Sequence, residues 1–287
     1  ILNVMIITLS GMSAGVLVVI SGLLGAGDIK QAQDAAHTSV ALYALMAAVM
    51  TVLGLLFVPQ ILRLVQTPAA AMPEAKRYLY TVFAGTVFTF GYNLIGALQR
   101  GLGNAAASMS FVIISSAANI ALDAVFIVWL GMGAFGAALG TVLSQVAAFV
   151  IGTVQFARGG AALRLSARAV RFHKKHLKNI LLFGVPTALN EVMVNLAMLT
   201  VSGVANSFGL ASSAAYGVGS RINSLAIFTD GAMNQTMSAY ASQNIGAGRQ
   251  KRALEGLWKA IILSAGAALG TSLLVLGFAS EFSACFD

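Results

Sequence analysis

Uninterrupted apolar runs dominate this chain, and they are too long for anything but helices in lipid. Of 287 residues only 9% are charged and 58% are hydrophobic, where a soluble domain carries about 25% charged residues. Several runs exceed the roughly 20 residues that cross a bilayer core. They lack the strict alternation of a membrane barrel strand. Spans are expected at 1–24, 35–58, 77–99, 105–130, 134–157, 179–204, 212–241 and 253–279. The joints carry turn and breaker residues: Gly25-Ala26-Gly27, Pro59, Pro68 and Pro73, Gly101 and Gly103, Gly131 and Gly133, Gly209, and Gly246-Ala247-Gly248. Asp28 followed by Gln31 reads as a capping box for the second span. Pro186 is expected to kink the sixth. The expected fold class is an all-α membrane protein, a polytopic helical bundle.

The formal charge of +8 does not point to nucleic acid, because the charge is not spread over a face. Arg158, Arg164, Arg168, Arg171, Lys174, Lys175 and Lys178 crowd into one segment between two apolar runs. That is the pattern of a cytoplasmic loop under the positive-inside rule. With the Gly-Ala-Gly loops on the same side, Lys30, Arg100, Arg249, Lys251 and Arg252 join these seven inside. Arg63, Lys76 and Arg77 remain outside. The single cysteine, Cys285, excludes an internal disulfide.

Residues 25–34 read GAGDIKQAQD and residues 246–255 read GAGRQKRALE, 221 positions later. The match extends past the small tripeptide to Lys30 and Lys251, Ala32 and Ala253, and acidic Asp34 and Glu255. An even number of expected helices separates the two copies, so both run the same way through the membrane, as parallel repeats. The organisation expected is a first lobe of five helices over 1–157, a basic cytoplasmic linker over 158–178, and three helices of a second lobe over 179–287. The chain opens at Ile1 inside an apolar run without an initiator Met, and is read as an internal segment of a longer protein.

Four stretches carry a family resemblance: Leu24-Gly-Ala-Gly-Asp28 with Ala32; Ala97-Leu-Gln-Arg-Gly-Leu-Gly103 running into Asn119-Ile-Ala-Leu-Asp123; Gly133-Ala-Phe-Gly-Ala-Ala-Leu-Gly-Thr141; and Gln243-Asn-Ile-Gly-Ala-Gly248. In this order they resemble the multidrug and toxic compound extrusion (MATE) family. The resemblance implies a twelve-helix transporter in two six-helix lobes, of which about eight helices are present, the second to the ninth. It implies a secondary active antiporter that exports organic cations or other amphipathic compounds in exchange for H⁺ or Na⁺. The implied partners are that small molecule and the lipid bilayer, with no prosthetic cofactor. A monomer in the bacterial cytoplasmic membrane is expected.

Ionisable groups inside apolar spans are expensive and point to function. Three acids lie there: Asp123, Glu191 and Asp230. Asn119 is four residues before Asp123, on the same helical face. Asp123 and Thr141 each lie nine residues from Met132, the expected hairpin turn, which places both about 13 Å below one surface of a ~30 Å core. A carboxylate, an amide and a hydroxyl at one depth suit a shared proton or a poorly hydrated Na⁺. The resemblance implies that Asn119, Asp123 and Thr141 form the coupling site of the first lobe, the only place where a metal ion is expected. Helix-to-helix hydrogen bonding is the plainer role for Asn119 and Thr141. Glu191, five residues after Pro186, and Asp230 are candidates for a second-lobe site, with structural ion pairing or hydrogen bonding as the alternative. Phe88, Phe90, Tyr92, Met193, Met198, Met233 and Met237 are candidates to line a path for flat cations, against ordinary packing.

No phosphate-binding loop, zinc spacing or nucleophile triad is present, so no enzyme is expected. Two rivals remain open. A lipid-linked saccharide flippase of the same superfamily would hold several basic residues in its cavity. A non-coupled channel or membrane scaffold would show no gradient dependence.

Overall fold

The computed structural model describes residues 2–159 and 163–277. Eight long helices account for most of them: α1 Leu2–Gly25, α2 Ile29–Leu64, α3 Met72–Gly101, α4 Ala105–Asp123, α5 Gly133–Arg158, α6 Lys174–Ser207, α7 Leu210–Gly246 and α8 Gln250–Gly277. There is no strand among the described residues. Seven of the helices are long and apolar enough to cross a membrane.

Local chemistry sets the helix ends. Asp28 caps α2: its carboxylate accepts the Gln31 backbone N–H at 3.0 Å and the Gln31 side-chain amide as well. The expected capping pair is therefore present, with Gln31 bonding the cap's carboxylate and not its backbone. These bonds hold the Asp28 carboxyl below the usual carboxylate range, the backbone bond first. Asn104 caps α4 in the same way through Ala107 N–H at 3.1 Å.

Proline effects are weaker than the sequence suggests. Pro59 does not end the second helix, which runs on to Leu64. Proline forfeits one backbone bond, to the Leu55 carbonyl. Continuing the helix keeps Val58 and Leu62 packed on Phe83. Gly54 admits the Phe83 ring where any side chain would clash. α6 likewise passes through Pro186 as one helix. It starts at Lys174, so the last basic residues of the expected linker form its opening turn.

α1 lies at the centre. It packs on α2 and α3 on one side and on α6 and α7 on the other. Val16, Leu17 and Ile20 are almost fully buried, and Val16 and Ile20 join Tyr43, Phe90, Leu98, Phe111 and Ile180 in the main core. The Tyr43 hydroxyl bonds Ser13 at 2.9 Å inside it. Outward-facing Leu56, Val128, Trp129, Leu182 and Ile262 are exposed, as lipid-facing side chains are. Between apolar helices in lipid, close packing and polar bonds drive association, and small residues supply the close packing here. A Cβ on Gly11 or Gly15 of α1 would strike Gly184 of α6.

The basic linker is strapped to the start of α2. Gln33 accepts the Arg164 N–H at 2.7 Å and donates to the Arg164 carbonyl. Thr38 accepts the His173 N–H at 3.2 Å. The His173 ring lies 3.6 Å from Asp34, and Lys175 donates to Gln31 at 2.7 Å. His37 is buried and bonds Gln33 at 3.1 Å.

Candidate cation-coupling site and the meeting of the two halves

Asp123 is the last residue of α4, and the six residues after it, Ala124–Trp129, form a turn of π-helix. Wide turns of this kind usually mark functional positions, because the extra residue turns neighbouring side chains off the regular face. Across from it, α5 presents Gly136 and Gly140, one turn apart. A Cβ at Gly136 would lie 3.0 Å from Cβ of Phe126, and one at Gly140 would collide with Asp123 Oδ1. The absent side chain at Gly140 is the space the carboxylate fills. Thr141 follows directly, on the helix that faces Asp123. Ser115 of α4 donates to the Ser144 carbonyl at 2.8 Å, and Ser144 donates back to the Thr141 carbonyl at 2.8 Å. The first bond pins the register of α4 on α5, and the second lies within α5.

Within this frame two polar atoms are fully buried without any hydrogen-bond partner among the described residues: Asp123 Oδ1 and Asn119 Nδ2. Leaving a buried polar atom unpaired costs about 1–3 kcal/mol, and more for a charged group. A proton on the carboxylate, or a cation beside it, removes that cost. An amide flip exchanges the Asn119 donor for its oxygen, which a cation requires. Asn119 and Asp123 thus share one face of α4, and Asp123 packs against Gly140 of α5. The Thr141 hydroxyl makes no hydrogen bond among the described residues, so it does not bond its own backbone.

The other candidates stand apart. Glu191 is half-buried on α6, and its carboxylate makes no ion pair or hydrogen bond among the described residues. Asn195 donates to the Glu191 backbone carbonyl at 2.8 Å, not to the side chain. Asp230 falls in α7, but its side chain, like that of Arg221, lies outside the described residues. Phe90 is a core residue, edge-on to Tyr43 at 6.1 Å. Phe88 packs on Phe149. Met193 and Met198 are exposed. Arg100 is a further surprise: it is not a loop cation. Its Nη1 donates to Ser108 at 2.8 Å, and its Nε is buried without a partner.

Gly25, Gly27, Gly246 and Gly248 divide into two roles. Gly27 and Gly248 have φ of 74° and 71° with open space around them, so they make the left-handed turn. Gly25 and Gly246 are helical, and each lies on a carbonyl of the opposite half: Gly25 on Gln243, Gly246 on Gly22. On α6 the buried residues are His176, Ile180 and Gly184, and none lies farther along the helix. The two halves therefore meet closely at the Gly-Ala-Gly end.

The MatE family profile matches residues 1–125 and 186–287, one segment in each half. A probable multidrug resistance protein, YpnP, of Bacillus subtilis is 29% identical over 84% of this chain and 54% of its own length. The multidrug export protein MepA of Staphylococcus aureus is 25% identical over 75% of this chain and 47% of its own. The chain thus spans about half the length of the curated relatives it matches. A crystal structure of MATE in complex with MaD3S superposes with a TM-score of 0.92 at 24% identity, over 100% of this chain and 65% of that one. An outward-facing multidrug resistance MATE transporter gives 0.91 at 24% identity, over 99% and 64%. At that identity the likeness is one of fold. Long apolar helices and the two matched segments agree: this is an integral membrane protein, and the chain belongs to the MatE family.

Proposed function

We propose that the gene product is a secondary active antiporter that expels organic cations or amphipathic compounds as H⁺ or Na⁺ enters, with Asp123 as the coupling residue. The observation that carries this reading is the buried, unpartnered Asp123 Oδ1 in the space Gly140 leaves open. Neutralising the carboxylate removes its desolvation cost and permits its helices to repack, which shifts the balance between two arrangements of the halves. The multidrug names of the relatives support a lipophilic small-molecule cargo. Asn119 and Thr141 act as neutral ligands or hydrogen-bond partners. Glu191, without a side-chain partner, is the candidate for a second coupling position. A flippase would hold phosphate with cavity cations. Arg100, half-buried with its Nε enclosed, is instead tied to Ser108 near the end of α3. The test is efflux of a fluorescent lipophilic cation from proteoliposomes holding the full-length gene product. Efflux should rise several-fold when a pH or Na⁺ gradient is imposed. A leak independent of both gradients favours the channel reading.

A further inference from the structure

We propose that the groove between α7 and the start of α8 binds the phosphate-bearing headgroup of an anionic phospholipid. The inference goes beyond the transport reading and does not depend on it. The groove encloses about 740 Å³ and is lined by Arg249, Lys251, Arg252 and Lys259, with Tyr240 as a wall and Glu255 as the acid among its lining residues. Four cations against one carboxylate suit an anion. None of the four forms an ion pair among the described residues, so their charge is not neutralised within the protein. The groove also has a fixed point. Gly256 leaves room for the Tyr240 ring to lie on α8, where a Cβ would strike it. Arg252 Nε donates to the Tyr240 hydroxyl at 3.3 Å. That bond leaves both terminal nitrogens of Arg252 without a protein partner among the described residues, free to grip two phosphate oxygens together.

The repeat shows why the occupant is an anion and not a strap of protein. In the first copy the same place on α2 holds the linker, whose backbone N–H groups are accepted by Gln33 and Thr38. The 221-residue offset turns these two residues into Leu254 and Lys259. Leucine has no acceptor and lysine only donates, so the second copy cannot bond a peptide in that way. Asp28 and Gln31 become Arg249 and Arg252. Peptide acceptors are thus exchanged for cations at matching positions. Depth selects a lipid over a soluble anion. Lys259 lies about 13 Å along α8 from Gln250, inside the apolar stretch Gln250–Leu273. A lysine stem at that depth reaches back to the headgroups. Trp258 beside it is exposed, as indole rings are at the boundary between headgroups and acyl chains. Basic pockets between membrane helices take anionic headgroups in this manner.

The test is native mass spectrometry of the full-length gene product in detergent, titrated with phosphatidylglycerol or with phosphatidylcholine of the same acyl chains. Phosphatidylglycerol should bind at least tenfold more tightly. Arg252→Gln/Lys259→Gln should bring it to within threefold of phosphatidylcholine. Arg168→Gln, which removes a charge from the linker instead, should change it less than twofold. Tyr240→Phe keeps the ring but releases Arg252, and should weaken phosphatidylglycerol binding at least threefold; it decides the matter if the double variant does not fold. Equal affinity for the two lipids, or a preference that survives in the groove variants, overturns the site. Glycerol 3-phosphate carries the same phosphate without acyl chains and should not displace phosphatidylglycerol at equal concentration. Displacement would mark a site for soluble phosphate and overturn the lipid assignment.

Discussion

At Gly140 the space a Cβ would take is filled by Asp123 Oδ1, so the smallest side chain is expected to disturb the site. Gly140→Ala should displace the carboxylate, lower thermal stability by about 1–3 kcal/mol as overpacking does, and cut gradient-driven efflux more than tenfold. Asn119→Ala removes a neutral partner worth about 1 kcal/mol and should weaken coupling less. Efflux assays on the two variants side by side check the order. Gly27→Ala and Gly248→Ala belong to another class: each forces a side chain into the left-handed region and should lower thermal stability by about 1–2 kcal/mol. Asp28 carries a pH dependence whose sign is fixed. Its folded pKa lies below the ordinary value, so its cap supports α2 above the ordinary carboxylate pKa and is lost as pH falls through the lowered one. The protection of the Gln31 amide, measured as its exchange rate relative to the intrinsic rate at each pH, should fall on acidification. Unchanged protection there would contradict the cap.

The helices and hairpins were legible in the sequence because length, charge and glycine placement in lipid leave few options. Gly27 and Gly248 show their turn role through position alone. Other features were not legible, for definite reasons. The π-turn falls in Ala124–Trp129, a wholly apolar stretch whose composition suits α and π geometry alike. Pro59 looked like an end because proline removes one backbone bond, yet contacts of Val58 and Leu62 carry the helix past it to Leu64. The strap of the linker on α2 uses Gln33 and Thr38, ordinary polar residues whose partners are 131 and 135 positions away. Asn119 and Asp123 could be paired by their four-residue spacing. The space at Gly140, and the buried unpaired atoms it leaves, needed the fold. The π-turn yields a prediction at this scale. Deleting Ala124 should convert it to α-helix, leaving membrane insertion intact while turning Asp123 out of register with Gly140. Insertion judged by protease protection should be normal and coupled efflux absent; full coupling would show the wide turn to be incidental.

Across the whole molecule the described halves touch at the Gly-Ala-Gly end, through Gly25 and Gly246, and farther along where Gly11 of α1 meets Gly184 and Ala188 of α6. The charge bias of the loops predicts that the basic linker is cytoplasmic. A single cysteine at Arg168, in a Cys285→Ser background, should resist an impermeant thiol reagent applied to intact cells and react after lysis. Labelling from outside would reverse the orientation. The coupling of this arrangement to an ion is most directly tested by Asp123→Asn in the full-length gene product. Asparagine keeps the size and hydrogen bonding of the neutral acid and discards the charge that would otherwise sit buried and unpaired. Expression, insertion and thermal stability should match or exceed the parent, while efflux in proteoliposomes should lose all dependence on an imposed H⁺ or Na⁺ gradient. Efflux at the parental rate with the parental gradient dependence would contradict the role assigned to Asp123.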